Sequence, residues 1–143
     1  MLLCSALAPL GCATNAAHQS SSTQASELLP RVDGEGFSGL IIPRFVHFQE
    51  SWTPGATQIV ASEPKVQQCV VSRRRTTRSA LPRYFRHYSG TSAGGEAALR
   101  IQFFDTRHYR KQDLSHAQEV MDAHGDHYFE VVYGLQSEKC SLY

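Results

Sequence analysis

Acidic and histidine side chains cluster near the C-terminal end of the chain, at Asp122, His124, Asp126 and His127. Carboxylate oxygens and imidazole nitrogens are both zinc ligands, and a catalytic zinc site needs three of them plus an open position. An ordinary explanation is also available, because histidine complements a helix C-terminus and Gly125 with Asp126 favours a turn. We therefore expect no metal and no cofactor, and keep a metal site as the alternative. Its further ligands would be His108 or His116.

A second pattern with chemical potential is Gly90-x-Ser92-x-Gly94. In α/β-hydrolases this pattern exposes a nucleophilic serine on a strained turn between a strand and a helix. Here the residues after Gly95 alternate as a strand does, so a Gly/Ser-rich hairpin loop is the favoured interpretation. A small hydrolase would use Ser92 or the cluster Asp122, His124, Asp126 and His127.

Four arginines lie close together, at Arg73, Arg74, Arg75 and Arg78. Guanidinium groups bind phosphate and carboxylate through paired hydrogen bonds, which makes this stretch the best candidate for contact with an anionic partner. A solvated loop between two strands is nevertheless the default interpretation of this stretch. The whole chain carries a formal net charge of only +1, so no global field favours nucleic acid.

Turn-forming Gly and Pro residues recur through the first half of the folded part and leave room for strands rather than long helices. The predicted strands there are residues 39–42, 44–49, 57–61 and 66–72. Residues 82–88 and 97–104 are predicted to be strands as well. In the last of these, Ala97, Leu99, Ile101 and Phe103 share one apolar face, which we expect to lie in the core.

The clearest helical pattern covers residues 114–124, with Leu114, Ala117, Val120 and Met121 as its buried stripe and Gly125 at its end. Residues 127–133 alternate again and form a predicted last strand. The sequence thus predicts a small α+β fold, with an antiparallel or mixed sheet and one helix packed on a face before the last strand.

The N-terminus is a nearly uncharged apolar run that ends in Leu10-Gly11-Cys12, too short to span a bilayer. It resembles the signal of a bacterial lipoprotein precursor. The resemblance implies a diacylglycerol on the Cys12 thiol, cleavage before Cys12 and acylation of the new amino group. Ala13 after the cysteine implies sorting to the outer membrane, facing the periplasm. A plainly secreted or periplasmic protein, or a cytosolic one, is the alternative.

This reading divides the chain into three parts. Residues 1–11 are the signal peptide, residues 12–28 are the lipidated cysteine and a Ser/Ala/Gln-rich tether, and residues 29–143 are a single domain. The membrane would be contacted through the lipid. Another envelope protein or an anionic envelope component would be the partner of the domain, and nucleic acid is not expected there.

In that compartment the domain keeps two thiols, Cys69 and Cys140, and an even pair in an oxidising envelope predicts a disulfide. Two unpaired, buried cysteines are the alternative. Together these features favour a lipid-anchored, non-enzymatic binding or accessory protein over a small envelope hydrolase.

Overall fold

The computed structural model describes residues 29–44, 51–109 and 127–143. Its described part is a six-stranded mixed sheet with one long α-helix, so the predicted α+β class is confirmed. A 3-10 helix, Arg78–Arg83, leads into the third strand. The elements are β1 (Arg31–Gly34), β2 (Phe37–Ile41), α1 (Ala56–Arg74), β3 (Tyr84–Ala93), β4 (Glu96–Asp105), β5 (Tyr128–Gly134) and β6 (Cys140–Leu142).

The strands lie in the sheet in the same order as in the chain, from β1 to β6. Every neighbouring pair is antiparallel except β2 and β3, which are parallel. Parallel neighbours need a crossover connection, and α1 lies in the connection between these two strands. No helix among the described residues is both long and apolar enough to cross a membrane.

Two of the predicted strands, residues 57–61 and 66–72, are wrong, because both segments lie within helix α1. Its buried positions follow the helical spacing i, i+3, i+4, i+7, i+8 and i+11, but only half of them are apolar. Because the other three are polar, the pattern of hydrophobic residues does not show the helical period. Pro64 favours a turn by its residue type, yet it lies within the helix on the exposed side. The buried residues are Ile59, Ser62, Glu63, Val66, Gln67 and Val70.

The predictions for the other strands hold with shifted ends. β2 covers most of the predicted 39–42, β4 contains 97–104, β5 covers 128–133 of the predicted 127–133, and β3 takes up 84–88. Strands β1 and β6 are short and were not predicted. The predicted strand 44–49, except its first residue, and the whole predicted helix 114–124 fall outside the described residues. The described helix instead precedes four strands.

One face of the sheet packs against α1 and forms the main core. Leu99, Ile101 and Phe103 of β4 are fully buried in it, as predicted, whereas Ala97 at the strand's start is exposed. Phe103 stacks on Phe129 of β5 with ring centroids 4.4 Å apart. The period-two pattern of β4 therefore identified the core face correctly except at its end.

A buried ion pair joins α1 to the sheet across this core. Arg86 of β3 is fully buried, and its Nη1 lies 3.2 Å from Oε2 of Glu63. The Tyr88 hydroxyl donates to Glu63 Oε1 at 2.5 Å, and the Gln67 amide donates to Oε2 at 3.1 Å. Burial, together with the charge of Glu63, raises the pKa of Tyr88 well above its usual value. The Glu63 carboxylate therefore contacts donors from both α1 and β3.

Aromatic rings complete the surroundings of Arg86. Its guanidinium carbon lies 5.4 Å from the ring centroid of Phe37 and 4.9 Å from that of Phe103. The negative faces of aromatic rings attract a cation, and the attraction is stronger where water is excluded. Arg86 is therefore held between β2, β4 and α1.

Replacing Glu63 by Gln should destabilise the domain strongly, because it leaves the buried Arg86 charge without a counter-ion. Loss of one partner of a buried pair costs about 3–5 kcal/mol, so we expect the urea-unfolding free energy to fall by about 3 kcal/mol. The control is Lys65→Gln, two residues away on the same helix. It removes an exposed ion pair with Glu138 and should leave the unfolding free energy nearly unchanged. Equal losses in the two variants would contradict this role of Glu63.

Candidate functional site

Cys69 of α1 and Cys140 of β6 lie at disulfide distance, with their Cα atoms 6.4 Å apart and a sequence separation of 71. The structure thereby confirms that the two thiols predicted to pair are brought together. The bond ties the last strand, at the edge of the sheet, to the helix that covers its core face.

The four candidate arginines do not lie in a loop between two strands, as one interpretation had it. Arg73 and Arg74 form the last turn of α1, Arg75 caps it in the left-handed conformation with φ 51°, and Arg78 begins the 3-10 helix. Cations near a helix C-terminus interact favourably with the unpaired carbonyls there. Part of this basic run is therefore explained by helix termination.

The side chains of these arginines diverge. Arg74 lies over the ring of Phe129, 4.1 Å from its centroid, and so helps to cover the core. Arg78 lines a cavity of about 470 Å³ between α1 and the β1–β2 turn, together with Glu35 and Val60. Arg73 lines a different depression. Arg73, Arg74 and Arg78 therefore have three different surroundings and do not line one common depression.

The depression lined by Arg73 lies beside the disulfide and has a volume of about 670 Å³. We call it the disulfide groove; its charged residues are Lys65, Arg73, Glu138 and Lys139. Lys65 is paired with Glu138, whereas Arg73 and Lys139 make no ion pair with the described residues. The groove therefore carries an excess of two positive charges.

Two of these cations were missed in the sequence, although a signal for them exists. Lys65, Cys69 and Arg73 follow one another at intervals of four residues, so they share one face of a helix once the segment is known to be helical. Lys139 directly precedes Cys140, so the disulfide carries it to that face. Both assignments depend on recognising α1.

Ser92 lies in β3 next to the β3–β4 turn and pairs with Ala97. The two glycines of its motif have structural explanations. A side chain at Gly90 would collide with the ring of Trp52, which packs directly on that residue, and Gly94 has φ 60° in the hairpin turn. The hairpin interpretation of this segment is therefore confirmed.

The structure also separates Ser92 from His127. The backbone of His127 accepts a hydrogen bond from Asp105 N, at the other end of β4 from Ala97. Eight residues of extended strand span about 26 Å. Ser92 and His127 therefore do not form a nucleophile and base pair.

Three members of the predicted C-terminal cluster, Asp122, His124 and Asp126, lie outside the described residues, as does His116. His127 and His108 are described and lie close together, with ring centroids 3.3 Å apart. Asp105 is their neighbour. Hydrogen bonds from Arg107 lower the pKa of the Asp105 carboxyl to about 2, so it is ionised at neutral pH.

No known protein family, curated protein or solved structure matches this chain. Among the described residues, the charges of the disulfide groove and the cluster around Asp105 are the features with potential for binding. An open basic groove suits the binding of an anion. It does not by itself supply a nucleophile or a general base.

Removing the disulfide should cost a large part of the stability of the domain. A cross-link that closes a loop of 71 residues is worth about 4 kcal/mol in the chain-entropy model. The Cys69→Ala/Cys140→Ala variant should lose about this much unfolding free energy in urea, and reductant should lower the parent to the same level without affecting the variant. Because Cys4 and Cys12 also carry thiols, the count is made in protein with Cys4→Ser and Cys12→Ser, where two titratable thiols without reductant would contradict the bond.

Proposed function

We propose that this protein is a lipid-anchored cell-envelope protein whose domain binds an anionic partner through the disulfide groove. The lipid would be carried by Cys12, and residues 13–28 would connect it to the domain. An outer-membrane position facing the periplasm is the location that the sequence favours. The domain acts by binding in this proposal, as an accessory module.

Two features support the envelope location. The apolar run ending in Leu10-Gly11-Cys12 has the composition of an export signal. Cys69 and Cys140 lie at disulfide distance, and disulfides persist in oxidising compartments and are rare in the cytosol. These two features are far apart in the chain and independent of each other.

The observation that carries the binding function is the charge of the disulfide groove. Arg73 and Lys139 line it without an ion pair among the described residues, although Lys139 lies within electrostatic reach of Glu96. Lys65 is paired with Glu138, the single acid of the groove lining. An unpaired guanidinium offers a planar fork of donors that matches phosphate or carboxylate. Phosphate-bearing headgroups and acidic protein segments are therefore the partners that fit.

Reversing the two unpaired charges should abolish most of this binding. We expect Cys12→Ser protein to bind vesicles that contain phosphatidylglycerol, and Arg73→Glu/Lys139→Glu to weaken that binding by roughly 30-fold, since each basic residue near an anionic surface contributes about 1 kcal/mol. Vesicle co-sedimentation at 50 and 200 mM salt measures both the affinity and its salt dependence.

The matched control is Arg44→Glu/Arg78→Glu, which changes the net charge equally at exposed arginines that lie outside the groove and make no ion pair with the described residues. Equal loss in both double variants would show a non-specific charge effect and contradict the groove. Polyglutamate is the second probe. Capture of polyglutamate without vesicle binding would indicate an acidic protein as the partner.

Lipidation has its own test. Cys12→Ser should abolish incorporation of labelled palmitate and release the protein from membranes washed at high salt, because stable anchoring depends on its acyl chains whereas binding through charge is screened. Ser substitution at Cys4 should change neither result. Membrane association without label in the parent protein would contradict the lipoprotein assignment and leave the groove experiment unaffected.

A further inference from the structure

We propose that Asp105, His108 and His127 form a binding site for Zn²⁺ at the junction of β4 and β5. Their ligand-capable atoms, one carboxylate oxygen and two imidazole nitrogens, all lie within 4.8 Å of one another. This set differs from the one that the sequence indicated. Of the clustered residues Asp122, His124, Asp126 and His127 it contains only the last; His108 was named as a possible further ligand, and Asp105 is new.

The backbone holds the three residues in place. Asp105 ends β4, and its N–H donates to the carbonyl of His127 at 2.9 Å. The chain then turns back, so that the N–H groups of His108 and Tyr109 both donate to the Asp105 carbonyl, at 2.9 and 3.0 Å. The imidazole rings of His108 and His127 consequently stack at an angle of 22°.

The donor set selects the metal. Two imidazoles and one carboxylate suit Zn²⁺, whereas Mg²⁺ and Ca²⁺ prefer oxygen ligands throughout. Zinc bonds of about 2.1 Å place tetrahedral ligand atoms roughly 3.4 Å apart. The atoms must therefore approach by up to about 1.4 Å, and the His108 ring must leave its stacked orientation so that both lone pairs point at the metal. Rotation of the exposed His108 side chain can provide both. Three protein ligands leave the fourth position for water.

Without a metal, Arg107 is the cation paired with the Asp105 carboxylate. Its Nε and Nη2 donate to Asp105 at 3.0 and 2.7 Å, and its side chain is 61% exposed while that of Asp105 is fully buried. A buried carboxylate requires a cation, so Arg107 can leave only when another cation replaces it, and its exposed guanidinium is then solvated by water. Zn²⁺ would take its place, with Arg83 remaining 3.4 Å from Oδ2. Arg107 and the metal should therefore compete.

The test is calorimetric titration of ZnCl₂ into the full chain with Cys4→Ser and Cys12→Ser, which removes the two thiols outside the Cys69–Cys140 pair. We expect one Zn²⁺ per chain, reversal by EDTA and no binding of Mg²⁺. His108→Gln and His127→Gln should each raise the Kd by at least the roughly 10- to 100-fold that loss of an outer-shell partner costs. Arg107→Gln should lower the Kd severalfold because it removes the competing cation. His18→Gln, outside the proposed site, should leave the Kd unchanged.

Thermal unfolding provides a second readout. Because His108 and His127 lie on either side of the β4–β5 connection, bound Zn²⁺ should raise the Tm of the parent and not that of the two histidine variants. Thermal unfolding in EDTA checks that both histidine variants fold. Because His108 is exposed, His108→Gln is less disruptive to the fold than His127→Gln. An unchanged Kd in His108→Gln, or loss of binding only in His116→Gln or His124→Gln, would overturn the site. An unchanged Kd in Arg107→Gln would overturn the assignment of Asp105.

Discussion

The buried pair of Glu63 and Arg86 is the interaction on which the arrangement of this domain depends. A charge removed from water requires a partner in contact, so Glu63 must face Arg86 and cannot slide along the sheet. This fixes the position of α1 on β3. Because α1 also carries Cys69 and Arg73, the same contact determines where the disulfide can form and where the basic groove opens.

The same pair explains why the helix was hidden in the sequence. A helix packed against a sheet normally shows its apolar residues at the helical period, yet here Ser62, Glu63 and Gln67 take positions in the buried stripe. Burial of Glu63 is possible because Arg86 and Tyr88 on the sheet match its carboxylate, and Gln67 donates to the same carboxylate. That complementarity lies between segments more than twenty residues apart, so a local pattern cannot reveal it.

Strands β4 and β5 could be predicted because their alternation depends on one buried face and on nothing distant. The pairing of Cys69 with Cys140 followed from counting thiols in an assumed compartment. In contrast, the residues that Arg73, Arg74 and Arg78 contact depend on where α1 ends and the 3-10 helix begins. The association of Asp105 and His108 with His127 depends on the antiparallel register, in which Phe104 lies opposite Tyr128. Neither could be read from spacing along the chain.

The two proposed sites are independent of each other, because β5 separates them. His127 precedes the first residue of β5, while Tyr133, near its end, pairs with Cys140 at the disulfide groove. Six residues of strand span about 20 Å, twice the Debye length of about 10 Å at 0.1 M salt. Charges in the groove are therefore screened from the cluster at Asp105. Binding of an anion at one end and of a metal at the other would share the β5 scaffold without an electrostatic link.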